Sequence, residues 1–140
     1  MSRLTINEAA GSGYTDEVIL TKNDFTGTAS GAETISIPVE KGDVVSLASI
    51  QVIEAVAGVG TAVIDIGDGS DADGFVDNAN IAAAGTVSSG GALTNGTTSN
   101  TKVYGAAGNI VITVTTGTTG MATATAGKVK VRLNVHRING

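Results

Sequence analysis

The chain is predicted to be an all-β protein, an antiparallel β-sandwich of about eight short strands with an extended N-terminal arm. Three observations lead there. Lys128 to His136 alternates without an error, with Val129, Val131, Leu133 and Val135 on one face and Lys128, Lys130, Arg132, Asn134 and His136 on the other. That is the period of a strand with one buried and one wet face. Short runs rich in Val, Ile and Thr recur between Gly-containing turns at fairly regular intervals, the spacing of a sandwich or barrel. No helical period lasts more than a turn or two.

Taken in order, residues 1–17 show no sustained period around Gly11-Ser12-Gly13 and read as an arm or a loosely held segment. Leu4, Ile6 and Tyr14 are its sizeable apolar groups, and an arm that docks on a neighbour would bury them. Residues 18–140 are read as one β-sandwich domain. Val18-Ile19-Leu20-Thr21 is a short strand, followed by a loop from Lys22 to Ala32. Glu33 to Val39 alternates, and Pro38, which lacks an N–H, puts that strand at a sheet edge or at its own end. Lys41-Gly42-Asp43 is a turn.

Val44 to Leu47 and Ile50 to Val56 are strongly β-prone. Gly58-Val59-Gly60 and then Thr61 to Ile66 follow, so the second run and Thr61 to Ile66 are expected to form a hairpin. Ala79 to Ala84 is compatible with one helical turn. Thr101 to Tyr104 and Asn109 to Thr115 are strands, Thr116 to Gly127 is a long turn or weak strand, and Lys128 to His136 closes the domain. A one-residue slip of that last strand would bury its cationic row, so it sets the register of its partners.

With 140 residues, no Trp and only two Phe and two Tyr, the core must come from Val, Ile, Leu and Ala. Small side chains each remove little apolar area from water, so association with further copies is expected. The absence of Cys excludes disulfide scaffolds, thiolate zinc sites and cysteine nucleophiles. A net charge of −5 argues against nucleic acid as the main partner. The first residues lack the apolar core of a signal peptide, and no stretch is continuously apolar over a membrane-spanning length. The chain is therefore expected to be soluble, with no membrane partner.

The candidate chemistry is thin. Five of the thirteen acidic residues fall between Asp65 and Asp77. Asp71-Ala72-Asp73-Gly74 resembles part of a calcium loop, but aligning its glycine puts Gly69 and Asn80 where carboxylates are needed. A solvated turn built from Asp and Gly is the better reading. His136 is the single histidine, which leaves no His-based metal site; no Ser sits in a nucleophile elbow. No strand–glycine-loop–helix unit cradles a phosphate. The chain is read as a non-enzyme without cofactor, catalytic residue or metal ligand. Lys128, Lys130, Arg132 and Arg137 are half of its eight cations, and complementing the acidic segment, within or between subunits, is the simplest role for them.

One stretch carries a likeness. Gly60-Thr61-Ala62-Val63-Ile64-Asp65-Ile66-Gly67-Asp68-Gly69-Ser70-Asp71-Ala72-Asp73-Gly74-Phe75-Val76-Asp77 resembles small virion proteins of tailed phages. Ala83 to Thr86, Asn109 to Val114 and Thr125 to Val131 follow in the same order. The chain over residues 44 to 136 is similar to the short, Cys-free head decoration or cement proteins. The resemblance implies a jelly-roll-like sandwich, a homotrimer, and a seat on the outer surface of a phage capsid, with the major capsid protein as partner. The candidate contacts are then Leu4, Ile6 and Tyr14 in the arm and Lys128, Lys130 and Arg132 in the last strand. The alternatives are a phage head or tail fibre or spike module and, from another class, a calcium-dependent adhesin or carbohydrate-binding β-sandwich.

Overall fold

The structure, a computed structural model, describes residues 5–8, 15–83, 87–89 and 101–137, of which 5–8, 47–49, 87–89 and 101 are described by backbone alone. Ten strands run through them in the order β1 (Thr5–Glu8), β2 (Asp16–Leu20), β3 (Ala29–Val39), β4 (Val44–Ala57), β5 (Ala62–Asp68), β6 (Val76–Asn80), β7 (Val87–Ser89), β8 (Thr101–Val103), β9 (Gly108–Thr119) and β10 (Ala126–His136). Two single 3-10 turns, Lys22–Asp24 and Met121–Thr123, are the only helical pieces among the described residues.

Alternation decides how these strands stack. In β10 the residues Val129, Val131, Leu133 and Val135 are buried, as are Val18 and Leu20 of β2 and Val45, Ile50, Val52 and Val56 of β4. These line the inner face of one antiparallel sheet, ordered β1-β2-β10-β4, with β7 and β8 both on the far side of β4. Ile35, Ile37 and Val39 of β3, Ala62, Ile64 and Ile66 of β5, Val76 of β6 and Ile110, Ile112 and Val114 of β9 line the other. That sheet is ordered β3-β9-β5-β6. The two rows meet in one continuous apolar cluster, so the molecule is an antiparallel β-sandwich.

The last strand sits at the centre of its sheet. Val131 is opposite Val18 on one side and Ile50 on the other, so its register governs both neighbours. Pro38 lies one residue from the end of β3, which is an edge strand, as its missing N–H requires.

Three expectations are corrected. Ile50–Val56 and Thr61–Ile66 do not form a hairpin: β4 belongs to the first sheet and β5 to the second. Gly58 and Gly60, at φ 85° and 78°, turn the chain from one sheet to the other. A Cβ on Gly60 would also run into the side chain of Thr118. The apolar run that a hairpin reading pairs is instead divided between facing layers. Ala79 and Asn80 end β6 rather than starting a helical turn, held by the Val63–Asn80 and Ile64–Ala79 pairs. Thr116 to Thr119 continue β9, and four strands reach eleven residues or more.

Candidate functional site

Register places unlike chemistry at the two ends of the sandwich. His136 is opposite Val44, Leu133 opposite Asp16, Val39 opposite Gly108 and Asp68 opposite Ile110. Asp16, the turn Glu40–Asp43, the loop after Asp68, Tyr104 and Arg137 therefore share one end. At the other, Ala57 is opposite Ala126, Ala29 opposite Thr119 and Ala62 opposite Thr116. There Thr26, Thr28, Thr61, Thr118, Thr123 and Thr125 are exposed, and the nearby charges that solvent reaches include Lys22, Glu33, Lys128 and Glu54, which accepts from the Gly127 N–H at 2.8 Å.

The charged end is tied together by ion pairs. Asp16 occupies an inward position of β2 and is only 6% exposed. Arg137 donates to both of its carboxylate oxygens, at 3.0 and 2.8 Å. Burial alone would raise the Asp16 pKa, but hydrogen bonds from Arg137 and Thr15 and the guanidinium charge outweigh it and hold the carboxyl below its ordinary value. The bond to Asp16 raises Arg137 in turn, against its own burial, and the charge of Asp43 adds to that. Asp43, 3% exposed, accepts from the Glu40 N–H at 2.9 Å through Oδ2. Its Oδ1 has no hydrogen-bond partner among the described residues.

Lys102 bridges the sheets. Its Nζ lies 2.6 Å from Oδ2 of Asp68 in β5 and 5.2 Å from the centroid of the Tyr104 ring, within cation–π range. The Tyr104 hydroxyl donates to the Asn109 carbonyl at 3.0 Å, and burial, then the charge of Asp68, pushes its pKa up to about 12.

The acidic segment is a turn whose carboxylates are engaged locally. Asp68 Oδ1 accepts from the N–H groups of Ser70 and Asp71, both at 2.7 Å. Asp65 accepts from the Asn78 N–H at 2.7 Å. A hydrogen bond with Asp73, followed by burial and the Asp73 charge, raises Asp71. Among the described residues, no three acidic or histidine side chains converge to hold a metal ion.

The residues singled out from sequence are scattered. Leu4 and Tyr14 lie outside the described residues. Ile6 is in β1, where it is opposite Val18, so the backbone of Thr5–Glu8 extends the first sheet beyond β2. Lys130 and Arg132 lie on the outer face of that sheet and share Glu17 of β2, at 3.7 and 3.3 Å. Lys128 is exposed further along the same row, and His136 is exposed at its end. Glu17 of β2 thus matches Lys130 and Arg132, Lys128 is opposite Glu54 of β4, and the Asp65–Asp77 segment pairs through Asp68 with Lys102.

Sequence reading missed Asp16 and Lys102. Asp16 keeps the inward parity of Val18 and Leu20, a signal lost by starting the strand at Val18. Lys102 is the single charge between Asn78 and Gly127, and a lone charge in a neutral stretch points to a specific partner. No helix among the described residues is long and apolar enough to cross a membrane. Comparison with protein-family models, with curated proteins and with solved structures gives no match to this chain.

Proposed function

We propose that this protein is a non-enzymatic virion component, a decoration or cement protein that binds the outside of a phage capsid through the major capsid protein and stabilises it. The observation that carries the reading is the strand order. β2-β10-β4-β7 faces β3-β9-β5-β6, with successive strands from β2 to β5 alternating between the two sheets strand by strand, an order that supports a jelly-roll reading. This agrees with the resemblance of residues 44 to 136 to small phage head proteins. The thin aliphatic core supports a homotrimer, in which subunit contacts add buried surface, and many copies on one shell would bind by avidity even where each contact is weak.

The two ends of the sandwich suit such a seat. The ion-paired end and the threonine-rich end present different surfaces, so a copy has a defined polarity relative to a shell. The test is gradient co-sedimentation of the purified protein with capsids that lack it, alongside the native mass of the free protein. Co-migration at a fixed stoichiometry with a trimeric free form is the expected result. Protein that stays at the top of the gradient with folded, intact capsids below it would overturn the proposal.

A further inference from the structure

β3 combines a free edge with a carboxylate in a cavity. One side of this eleven-residue strand pairs with β9 from Ala29 to Val39, and among the described residues no strand pairs with the other. Pro38 has no N–H to give, so the Pro38–Asn109 pair is of the kind that exchanges no hydrogen bonds. Alternation then turns the backbone groups of Ala32, Thr34 and Ser36 away from β9, toward the open edge. Those three side chains are small and exposed, and β3 carries no lysine and no bulge over these positions, the usual devices that protect an edge from pairing.

Beside the start of this edge lies a cavity of about 290 Å³ lined by residues that include Thr26, Gly27, Gly31, Glu33, Val114 and Met121. Glu33 is the charged group in that lining. It has the parity of Ile35 and Ile37, so it faces the inner side of β3. Its Oε2 accepts from the N–H and hydroxyl of Thr26 at 2.8 and 3.2 Å, and its Oε1 from the Gly27 N–H at 2.8 Å. A carboxylate offers about four acceptor positions, so one remains. The hydrogen bonds outweigh the effect of burial and hold Glu33 below its ordinary pKa, so it stays ionised through neutral pH.

We propose that the β3 edge and the Glu33 cavity form one binding site for an extended polypeptide segment of a partner protein that carries a lysine or arginine. The segment adds as a strand through main-chain hydrogen bonds to Ala32, Thr34 and Ser36. Its basic side chain enters the cavity and donates a charge-assisted bond to Glu33. This is strand addition, in which the main chain supplies affinity and a pocket for an alternate side chain supplies specificity. A second copy of β3 is a poorer occupant, since Ala29 to Val39 contains no cation and would bring only another Glu33. The inference is independent of the capsid reading.

The probe is an acetylated, amidated heptapeptide of alternating threonine and valine with a central lysine, compared with its norleucine counterpart. Amide resonances of the full-length protein are followed on titration. The lysine peptide is expected to shift Ala32, Thr34, Ser36, Thr26 and Gly27 and to bind about tenfold more tightly than the norleucine peptide. Glu33→Gln should erase that tenfold preference while leaving the norleucine peptide unaffected. Thr34→Pro should abolish binding of both; should that variant misfold, the Glu33→Gln comparison still decides. The proposal is overturned if neither peptide shifts β3 at millimolar concentration, or if both bind alike. It is also overturned if dilution of the free protein or deletion of residues 1–4 moves the Thr26 and Gly27 amides, which would put a second copy or the chain's own N-terminal segment in the site.

Discussion

Replacing Asp16 with Asn keeps the side-chain shape and removes one charge from the Asp16–Arg137 pair. Breaking a fully buried pair costs about 3–5 kcal/mol, whereas an exposed pair contributes below about 1 kcal/mol. Here the Asp16 side chain is 9% exposed and that of Arg137 is 37% exposed, so solvent screens the guanidinium once it is released. The expected loss lies between those limits, about 1–2 kcal/mol, or a fall in Tm of roughly 3–8 °C for a chain of this length. Asp16 titrates below its ordinary value of 3.8 in the folded protein. Its contribution is therefore complete above the unfolded pKa and disappears as pH falls through the lower, folded one. The gap between the parent and Asp16→Asn should be widest near neutrality and narrow below about pH 4. Urea unfolding at several pH values checks this. A cycle with Arg137→Gln should give a coupling of about 1 kcal/mol. A loss under about 0.5 kcal/mol at pH 7, or a gap as wide at about pH 2.5 as at pH 7, would refute the reasoning.

Three further outcomes are expected. Lys102→Met removes the bridge to Asp68; because the Lys102 side chain is 40% exposed, the loss should stay below about 1 kcal/mol and shrink as salt is raised, read from urea midpoints in low and high NaCl. Gly60→Ala should cost about 1–2 kcal/mol, since φ is 78° and the new methyl meets Thr118, whereas Gly69→Ala, with nothing within 4 Å, should leave the urea midpoint nearly unchanged. Millimolar calcium should not raise Tm, because Asp65 and Asp68 already accept backbone hydrogen bonds and a cation that bound only the native state would have to stabilise it; a rise reversed by EDTA would restore the calcium reading of the acidic segment.

What could be read from sequence follows the reach of each signal. Alternation is local and strong in β10, so its buried and wet faces were legible to the residue. Pro38 marked an edge because a missing N–H is a property of the residue itself. The β4–β5 connection was not legible. A glycine-rich loop between two apolar runs looks the same whether the strands pair beside each other or cross to facing sheets, and only the competition for β10 and β9 as partners decides. The ion pairs fall in the same class. Glu17 faces Lys130 and Arg132 across 113 and 115 residues of chain, and nothing near any of them announces the others. Glu33 read as the first residue of an alternating strand; its role in a cavity depends on Thr26 and Gly27 folding back over it.

The most direct measurement is the temperature at which capsids purified without this protein release their DNA, followed by dye access, before and after the folded protein is added. A protein that clamps the shell should raise that temperature by several degrees, with the effect saturating at a fixed number of copies per capsid. An unchanged release temperature in the presence of excess folded protein would contradict the proposal that it stabilises a capsid.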